Sequence, residues 1–253
     1  MGSGHGTHLH IEGESAIHRL APHVKLVGLV AFVLLVVSVP ADAHAALALL
    51  LLLAVGMLLS TRVPLRHVLP RLAVEIPFVI FAVVLPFVAV GPRIDVGPFA
   101  VSEQGLDAAG ALLLKGTCGV VAAVTFAVTT RPRDLVRALQ HLRVPDPLVV
   151  IASFMVRYVD VVLDQVRRMR VARESRGFRA SSIAAWPAIA SSAGALFIRS
   201  YERGERVHLA MVSRGWSGSM PVTAPLSAST GQWALALVPA TAAAIVSTAV
   251  RLS

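Results

Sequence analysis

The stretch Val24–Leu59, VKLVGLVAFVLLVVSVPADAHAALALLLLLAVGMLL, decides the class of this protein. It holds two apolar runs, Val24–Val39 and Ala43–Leu59, split by Pro40, Asp42 and His44. Each run approaches the roughly 20 residues a helix needs to cross a bilayer. The polar interruption suits the tip of a tight helical hairpin. Working outward, three more stretches have the same character: Leu72–Val90, Leu106–Thr129 and Gln232–Val250. Pro77 and Pro86 in the first of these are tolerable where neighbouring helices re-satisfy freed carbonyls, and they predict kinks. Composition agrees, with 56% hydrophobic and 15% charged residues against about a quarter charged in soluble domains. The expected fold class is all-α, a polytopic membrane protein with about five transmembrane helices and an extramembrane helical segment.

Positive charge sets the orientation, because Lys and Arg concentrate on the cytoplasmic side. The connection between spans two and three carries Arg62, Arg66 and Arg71 and no acid, and the one between spans three and four carries Arg93, Asp95 and Glu103. Arg131–Gly231 holds fifteen arginines and seven acids. A cytoplasmic N-terminus places both Arg-rich segments inside and lets all five spans alternate. The expected organisation is a cytoplasmic tail over 1–23, transmembrane helices 1–4 over 24–130, cytoplasmic helices over 131–231 and the last transmembrane helix over 232–253. Lys25, the following apolar run and Ala41-Asp42-Ala43 also resemble a signal peptide. The long non-basic lead and the second apolar run directly afterwards fit a hairpin better. Ile183–Ile198 is apolar but short. Were it to span, Arg199, Arg203, Arg206 and Arg214 would lie outside, so it reads as a helix buried against protein or lying at the interface.

The segment after span four is the more informative one. Thr130-Arg131-Pro132 starts a helix, Leu135, Val136, Leu139 and Leu142 recur at helical spacing, and Val144-Pro145-Asp146-Pro147 stops it. A long helix is expected from Leu148 to Arg176, with Ser153, Arg157, Asp160, Asp164, Arg167 and Arg168 on a polar stripe. Arg157–Asp160, Asp164–Arg167 and Asp164–Arg168 are spaced to pair. Apolar residues cover the rest of its circumference, which calls for protein or membrane partners.

Two helix ends in this segment match. Ala172, Ser175, Arg176, Gly177 and Phe178 align with Ala210, Ser213, Arg214, Gly215 and Trp216, 38 residues later. Glycine just past a helix is an ordinary cap, and Arg in the last turn suits the helix dipole. Capping needs only the glycine, however; it does not ask for Ala four positions before Arg or Ser before it. The second reading is two equivalent plugs, each presenting a guanidinium suited to bidentate carboxylate capture. Two equivalent plugs imply two equivalent sockets, as on a dimeric partner.

Three stretches resemble the transmembrane T component of energy-coupling factor (ECF) transporters of the cobalt-uptake CbiQ type. Ser15–Leu26 (SAIHRLAPHVKL) is similar to the family's opening signature, with Ala21 where Asp or Pro is common. Phe154–Phe178 (FMVRYVDVVLDQVRRMRVARESRGF) resembles the first coupling helix and Leu196–Gly218 (LFIRSYERGERVHLAMVSRGWSG) the second. The family motif is commonly Ala-Arg-Gly, whereas both copies here read Ser-Arg-Gly. The resemblance implies a non-catalytic scaffold with no cofactor of its own, ATP being bound by two partner ATP-binding-cassette ATPases. It implies coupling motifs at Ala172, Ser175, Arg176, Gly177, Ala210, Ser213, Arg214 and Gly215. Arg157, Asp160, Asp164, Arg168, Phe178 and Trp216 would support them. The implied partners are the ATPase pair, a membrane-embedded substrate-capturing S component (CbiM-like, with a small CbiN-like subunit) and the lipid bilayer, with no nucleic acid. Cobalt is the implied substrate; nickel or a vitamin stays open.

Other classes find little support. Gly110–Thr117 has Lys115 and Gly116 in the wrong order for a phosphate loop and lies inside a span. A stand-alone metal permease needs several ligands at mid-membrane, and the spans offer Glu75, Lys115 and Cys118. Lys115 and Glu75 read as groups that snorkel or pair within the bundle, and Cys118 as a small packing residue. His5, His8, His10, His18 and His23 read as part of a Gly-rich tail rather than a defined metal site. An intramembrane enzyme would need a Ser/Lys, His/Glu or paired-Asp constellation, and the spans carry none of these in sequence.

Overall fold

A computed structural model of the chain describes residues 13, 15–96, 99–178, 185–220 and 226–252. The elements are α1 (Ala16–Arg19), α2 (Pro22–Ser38), α3 (His44–Ser60), α4 (Leu65–Leu72), α5 (Ile76–Val88), α6 (Glu103–Thr129), α7 (Pro132–His141), α8 (Asp146–Glu174), α9 (Trp186–Val212) and α10 (Thr230–Leu252). A 3₁₀ turn, Ala73–Glu75, joins α4 to α5, and two short strands, β1 (Arg93–Val96) and β2 (Phe99–Ser102), precede α6. The chain divides into two compact units, Leu9–Ala138 with Leu226–Ser253 and, separately, Leu139–Pro225.

The first unit is the membrane bundle. Val68–Val88, α6 and α10 are long and apolar enough to cross a bilayer. Helices α2 and α3 have 17 residues each, about 25 Å at 1.5 Å per residue, the lower end of the spanning range. All five expected segments are therefore helical. The third starts earlier than expected, at Val68, and carries the 3₁₀ turn four residues before Pro77. Proline has no N–H to return to Ala73, so the backbone tightens there instead of continuing the α-ladder.

Helix α6 packs against α2, α3 and α5, and α10 packs against α2 and α3. Phe32, Val36, Leu47, Leu50, Val121 and Ala243 are core side chains. Cys118 is fully buried among them, as a packing residue should be. First and last spans meet closely at Gly28, where a Cβ would lie 2.5 Å from the Ala236 carbonyl oxygen. Small residues at such crossings let backbones approach in a medium that supplies no hydrophobic drive between helices. Outward, α5 presents Phe81, Val83 and Val88 at 59%, 61% and 72% exposure, a surface that suits lipid or an apolar partner.

The intramembrane charges are engaged inside the bundle. Lys115 Nζ donates to Val39 O at 2.6 Å and Val37 O at 3.1 Å, and Arg251 Nη2 donates to Ser38 O at 2.8 Å. Two cations thus close the carbonyl end of α2, where the helix dipole is negative. Glu75 is hydrogen-bonded with the Thr117 hydroxyl. At the opposite end of α2, Lys25 Nζ donates to Thr129 O at 2.8 Å and His18 O at 3.4 Å.

Strands β1 and β2 were not expected. They pair antiparallel, Arg93 opposite Ser102 and Val96 opposite Phe99. Ser102 then caps α6 by accepting from Gly105 N at 3.3 Å, and Glu103 adds a favourable first-turn carboxylate.

Candidate functional site

The second unit carries both matching helix ends. Helix α8 has 29 residues and only Val149 buried; α9 has 27 and none. Helices this long with so little interior of their own depend on other surfaces to cover their apolar faces. Met155 at 68%, Phe197 at 71% and Leu209 at 61% exposure are the clearest cases. The sequence suggested Ile183–Ile198 and Leu196–Gly218 as two readings; the structure runs Trp186–Val212 as one uninterrupted helix, with Ile183 and its neighbour outside the described residues.

The two ends follow the same hydrogen-bond schedule, bond for bond. After α8, Ser175 N returns to Val171 O (2.9 Å), Arg176 N to Arg173 O (3.1 Å), Gly177 N to Glu174 O (3.0 Å) and Phe178 N to Arg173 O (3.1 Å). After α9, Ser213 N returns to Leu209 O (3.0 Å), Arg214 N to Met211 O (3.0 Å), Gly215 N to Val212 O (2.9 Å) and Trp216 N to Met211 O (3.0 Å). The paired returns across glycine are the Schellman arrangement. Gly177 and Gly215 sit at φ +77° and +82°, a left-handed conformation that costs any other residue. Among the described residues no atom beyond the chain neighbours lies within 4 Å of a Cβ built at either position, so backbone conformation demands the glycine.

The alanine and the serine have a shared job. Ser175 Oγ donates to Ala172 O at 3.1 Å, and Ser213 Oγ donates to Ala210 O at 3.0 Å. The hydroxyl folds back onto its own helix and satisfies one of the carbonyls a helix end leaves open. Its outward profile therefore stays close to that of alanine. Ala172, Ser175, Arg176 and Gly177 are exposed, as are Ala210, Ser213, Arg214 and Gly215, while Phe178 and Trp216 are half-buried. Trp216 packs edge-on to His208 with ring centroids 5.7 Å apart and donates Nε1–H to Ser219 O at 3.1 Å.

Several charges along the helices pair with each other. Arg168 holds Asp164 through Nε (2.9 Å) and Nη2 (2.5 Å), one of the expected pairs; Arg157 and Asp160 lie further back on the same helix. Two pairs were not anticipated: Arg170–Glu174 at 2.7 Å and Arg206–Glu202 at 3.9 Å. Their i, i+4 spacing was the available signal. Donation to the Glu174 carboxylate raises the Arg170 guanidinium above its ordinary value. Glu174, the acid closest to Arg176 in sequence, is thus engaged by Arg170. Arg173 Nη1 donates to Ser192 Oγ at 3.2 Å, linking α8 to α9.

Between the helices runs an apolar groove of about 300 Å³, walled by Phe154, Tyr158 and Val162 on one side and Gly204, Val207 and Met211 on the other. Arg203 lines it with Nη1 buried and without a hydrogen-bond partner among the described residues. Burial of Arg203 depends on the α8–α9 packing and had no signal in the sequence. Of the histidines, His18 bonds Ser15 Oγ at 2.7 Å and His23 stacks edge-on with Trp233 at 5.8 Å; His5, His8 and His10 lie outside the described residues.

Comparisons with known proteins bear on this geometry. The family model CbiQ, described as "Cobalt transport protein", matches residues 13–223. The energy-coupling factor transporter transmembrane protein EcfT of Bacillus selenitireducens is 28% identical over 83% of this chain and 82% of its own length. The cobalt transport protein CbiQ of Rhodobacter capsulatus is 28% identical over 78% of each. An uncharacterized protein of Methanocaldococcus jannaschii is 29% identical over 81% of this chain and 72% of its own length.

Proposed function

The chain belongs to the CbiQ family of ECF transporter transmembrane components, and from that premise we propose that it is the scaffold through which two ATPase subunits drive uptake by a separate S component. The carrying observation is the duplicated helix end: two Schellman turns with one hydrogen-bond schedule, each presenting an exposed arginine. Paired ATPases offer two related grooves, and Arg176 and Arg214 each dock in one by bidentate contact with carboxylates. Residues 131–231 and the N-terminal tail face the cytoplasm in this reading, which the arginine distribution supports. Residues 24–130 and 232–253 supply the spans.

Coupling is mechanical. Helix α8 is about 43 Å long at 1.5 Å per residue, and a rigid rod fixed at an ATPase groove carries displacement along its length. Closure of the ATPases on ATP moves the plugs, and α8 and α9 convey that movement to the S component. The protein performs no chemistry in this scheme and binds no cofactor. Glu75, Lys115 and Lys25 are held by Thr117 and backbone carbonyls, which supports structural roles for them and substrate capture elsewhere. The proposed substrate is Co²⁺, taken up by a CbiM-like S component; the family description and the Rhodobacter capsulatus relative's name favour it.

The test is the double variant Arg176→Glu, Arg214→Glu in the assembled transporter. It inserts normally, no longer co-purifies with the ATPases and supports no uptake. Matched acid-to-base changes in the ATPase grooves restore part of both. Persistent ATP-driven uptake by the double variant would falsify the plug assignment.

A further inference from the structure

Where α2 begins and α6 ends, the bundle opens into a polar cleft of about 520 Å³ lined by His18, Lys25, Thr129, Thr130, Arg131 and Asp134. The cleft shares Leu20, Lys25 and Thr129 with an apolar groove of about 350 Å³, walled by Leu29, Phe32, Leu53, Met57, Ala122 and Phe126. A charged chamber beside an apolar slot, with Lys25 and Thr129 lining both, has the form of an amphiphile.

Three observations specify the polar half. Thr130 is 7% exposed, and its Oγ1 is buried with no hydrogen-bond partner among the described residues. Buried hydroxyls are rarely left so. Lys25 is 8% exposed and donates to His18 O and Thr129 O, which leaves the third of its N–H donors for another acceptor. Lys25 and Arg131 line the cleft as cations, while the lining acid Asp134 is paired with Arg137 at 3.6 Å, so the cleft is net positive, the complement of a phosphodiester. Depth agrees as well. Lys25 and Thr129 lie at helix ends, where headgroups sit, and Phe32 and Ala122 lie seven residues further in, about 10 Å deeper, among acyl chains.

We propose that the cleft and groove together bind one anionic glycerophospholipid. Its phosphodiester accepts from Lys25 Nζ, Thr130 Oγ1 and the Arg131 guanidinium, and one acyl chain lies along Phe32, Ala122 and Phe126. A choline headgroup would bring a third cation beside Lys25 and Arg131, so phosphatidylglycerol is favoured over phosphatidylcholine. Asp134 stands as an acceptor for headgroup hydroxyls.

The experiment is native mass spectrometry of the full-length chain in detergent, titrated with phosphatidylglycerol, phosphatidylcholine or inorganic phosphate. One phosphatidylglycerol is retained per chain, with an apparent Kd about tenfold or more below that of phosphatidylcholine. Thr130→Val and Arg131→Gln each weaken retention by about three- to tenfold. Thr130→Val leaves the thermal midpoint of the delipidated protein unchanged, because the hydroxyl it removes has no partner among the described residues. Ala122→Phe fills the slot and also weakens retention; should it fail to fold, the other two variants decide. Equal affinity for both lipids, or unchanged retention in Thr130→Val and Arg131→Gln, overturns the proposal. So does displacement of the lipid by stoichiometric inorganic phosphate, which would make the groove irrelevant. If Ala122→Phe lowers capture of a partner membrane protein while phosphatidylglycerol binding holds, the groove belongs to a protein helix and the proposal fails.

Discussion

Replacing Gly177 and Gly215 by alanine isolates the backbone contribution to coupling. Both glycines are left-handed, at φ +77° and +82°, and a Cβ at either meets nothing within 4 Å among the described residues beyond its chain neighbours. The perturbation is therefore conformational, with no clash and no lost side chain. A left-handed alanine costs about 1–2 kcal/mol. In the free protein an exposed helix end relaxes by fraying, so the thermal midpoint hardly moves. In the docked state the turn must be held, and the whole cost appears in binding. Each substitution raises the apparent Kd for the ATPase pair by about 5- to 30-fold. The double variant multiplies the two factors, since the motifs sit on different helices and share no partner. Asparagine tolerates the left-handed region better than alanine, so Gly177→Asn and Gly215→Asn recover part of the loss. The measurement is equilibrium binding of ATPases to the chain in nanodiscs, with helix content followed by circular dichroism. Alanine variants that bind within twofold of wild type would refute the reasoning, as would asparagine variants that lose as much as alanine.

Other outcomes follow from the same structure. Ser175→Ala with Ser213→Ala keeps ATPase binding within about twofold, because each hydroxyl serves only its own helix and an exposed hydrogen bond is worth about 1 kcal/mol or less; a tenfold loss in the binding assay would mean that the hydroxyls face the ATPases. Lys115→Met removes the charged donor to Val37 and Val39 and destabilises the bundle by about 1–3 kcal/mol, read as a lower unfolding midpoint in detergent with ATPase affinity unchanged. Gly28→Val forces apart α2 and α10 at the Ala236 carbonyl and costs about 1–3 kcal/mol or more by overpacking. Its signature is a lower midpoint together with faster protease cleavage between α9 and α10, and an unchanged midpoint contradicts the crossing described here.

The legible parts of this protein were those written in local patterns. Apolar length marked Val24–Val39 and Ala43–Leu59 as helices, and the polar Pro40–His44 interval marked their turn. The repeated Ala-x-x-Ser-Arg-Gly marked the two helix ends before any geometry was known. Sequence could not tell why serine replaces alanine there, since the answer is the direction of one hydroxyl proton. Nor could it assign Lys115 a partner, because the Val37 and Val39 carbonyls reach it only through the α2–α6 packing. Strands β1 and β2, four residues each, are too short for a period-2 pattern to stand out. Trp186–Val212 read as two stretches because the apolar run Ile183–Ile198 gives way to the charged Leu196–Gly218; the helix runs through, since Gly194 and Gly204 remove no backbone bond as proline would.

The pairing of α2 with α10 places first and last spans side by side, and that sets a schedule for biogenesis. About 190 residues separate Ser38 from Thr230, so at about 5–20 residues per second the ribosome takes about 10–40 s to deliver the partner. During that interval the Gly28 face stands open and Ser38 lacks Arg251. Helix α6 arrives earlier and brings Lys115 to Val37 and Val39, closing part of the carbonyl end of α2 first. The bundle is thus assembled in two steps, a provisional seal followed by a final one. A nascent chain stalled after α9 would expose both coupling ends while its membrane half was still incomplete.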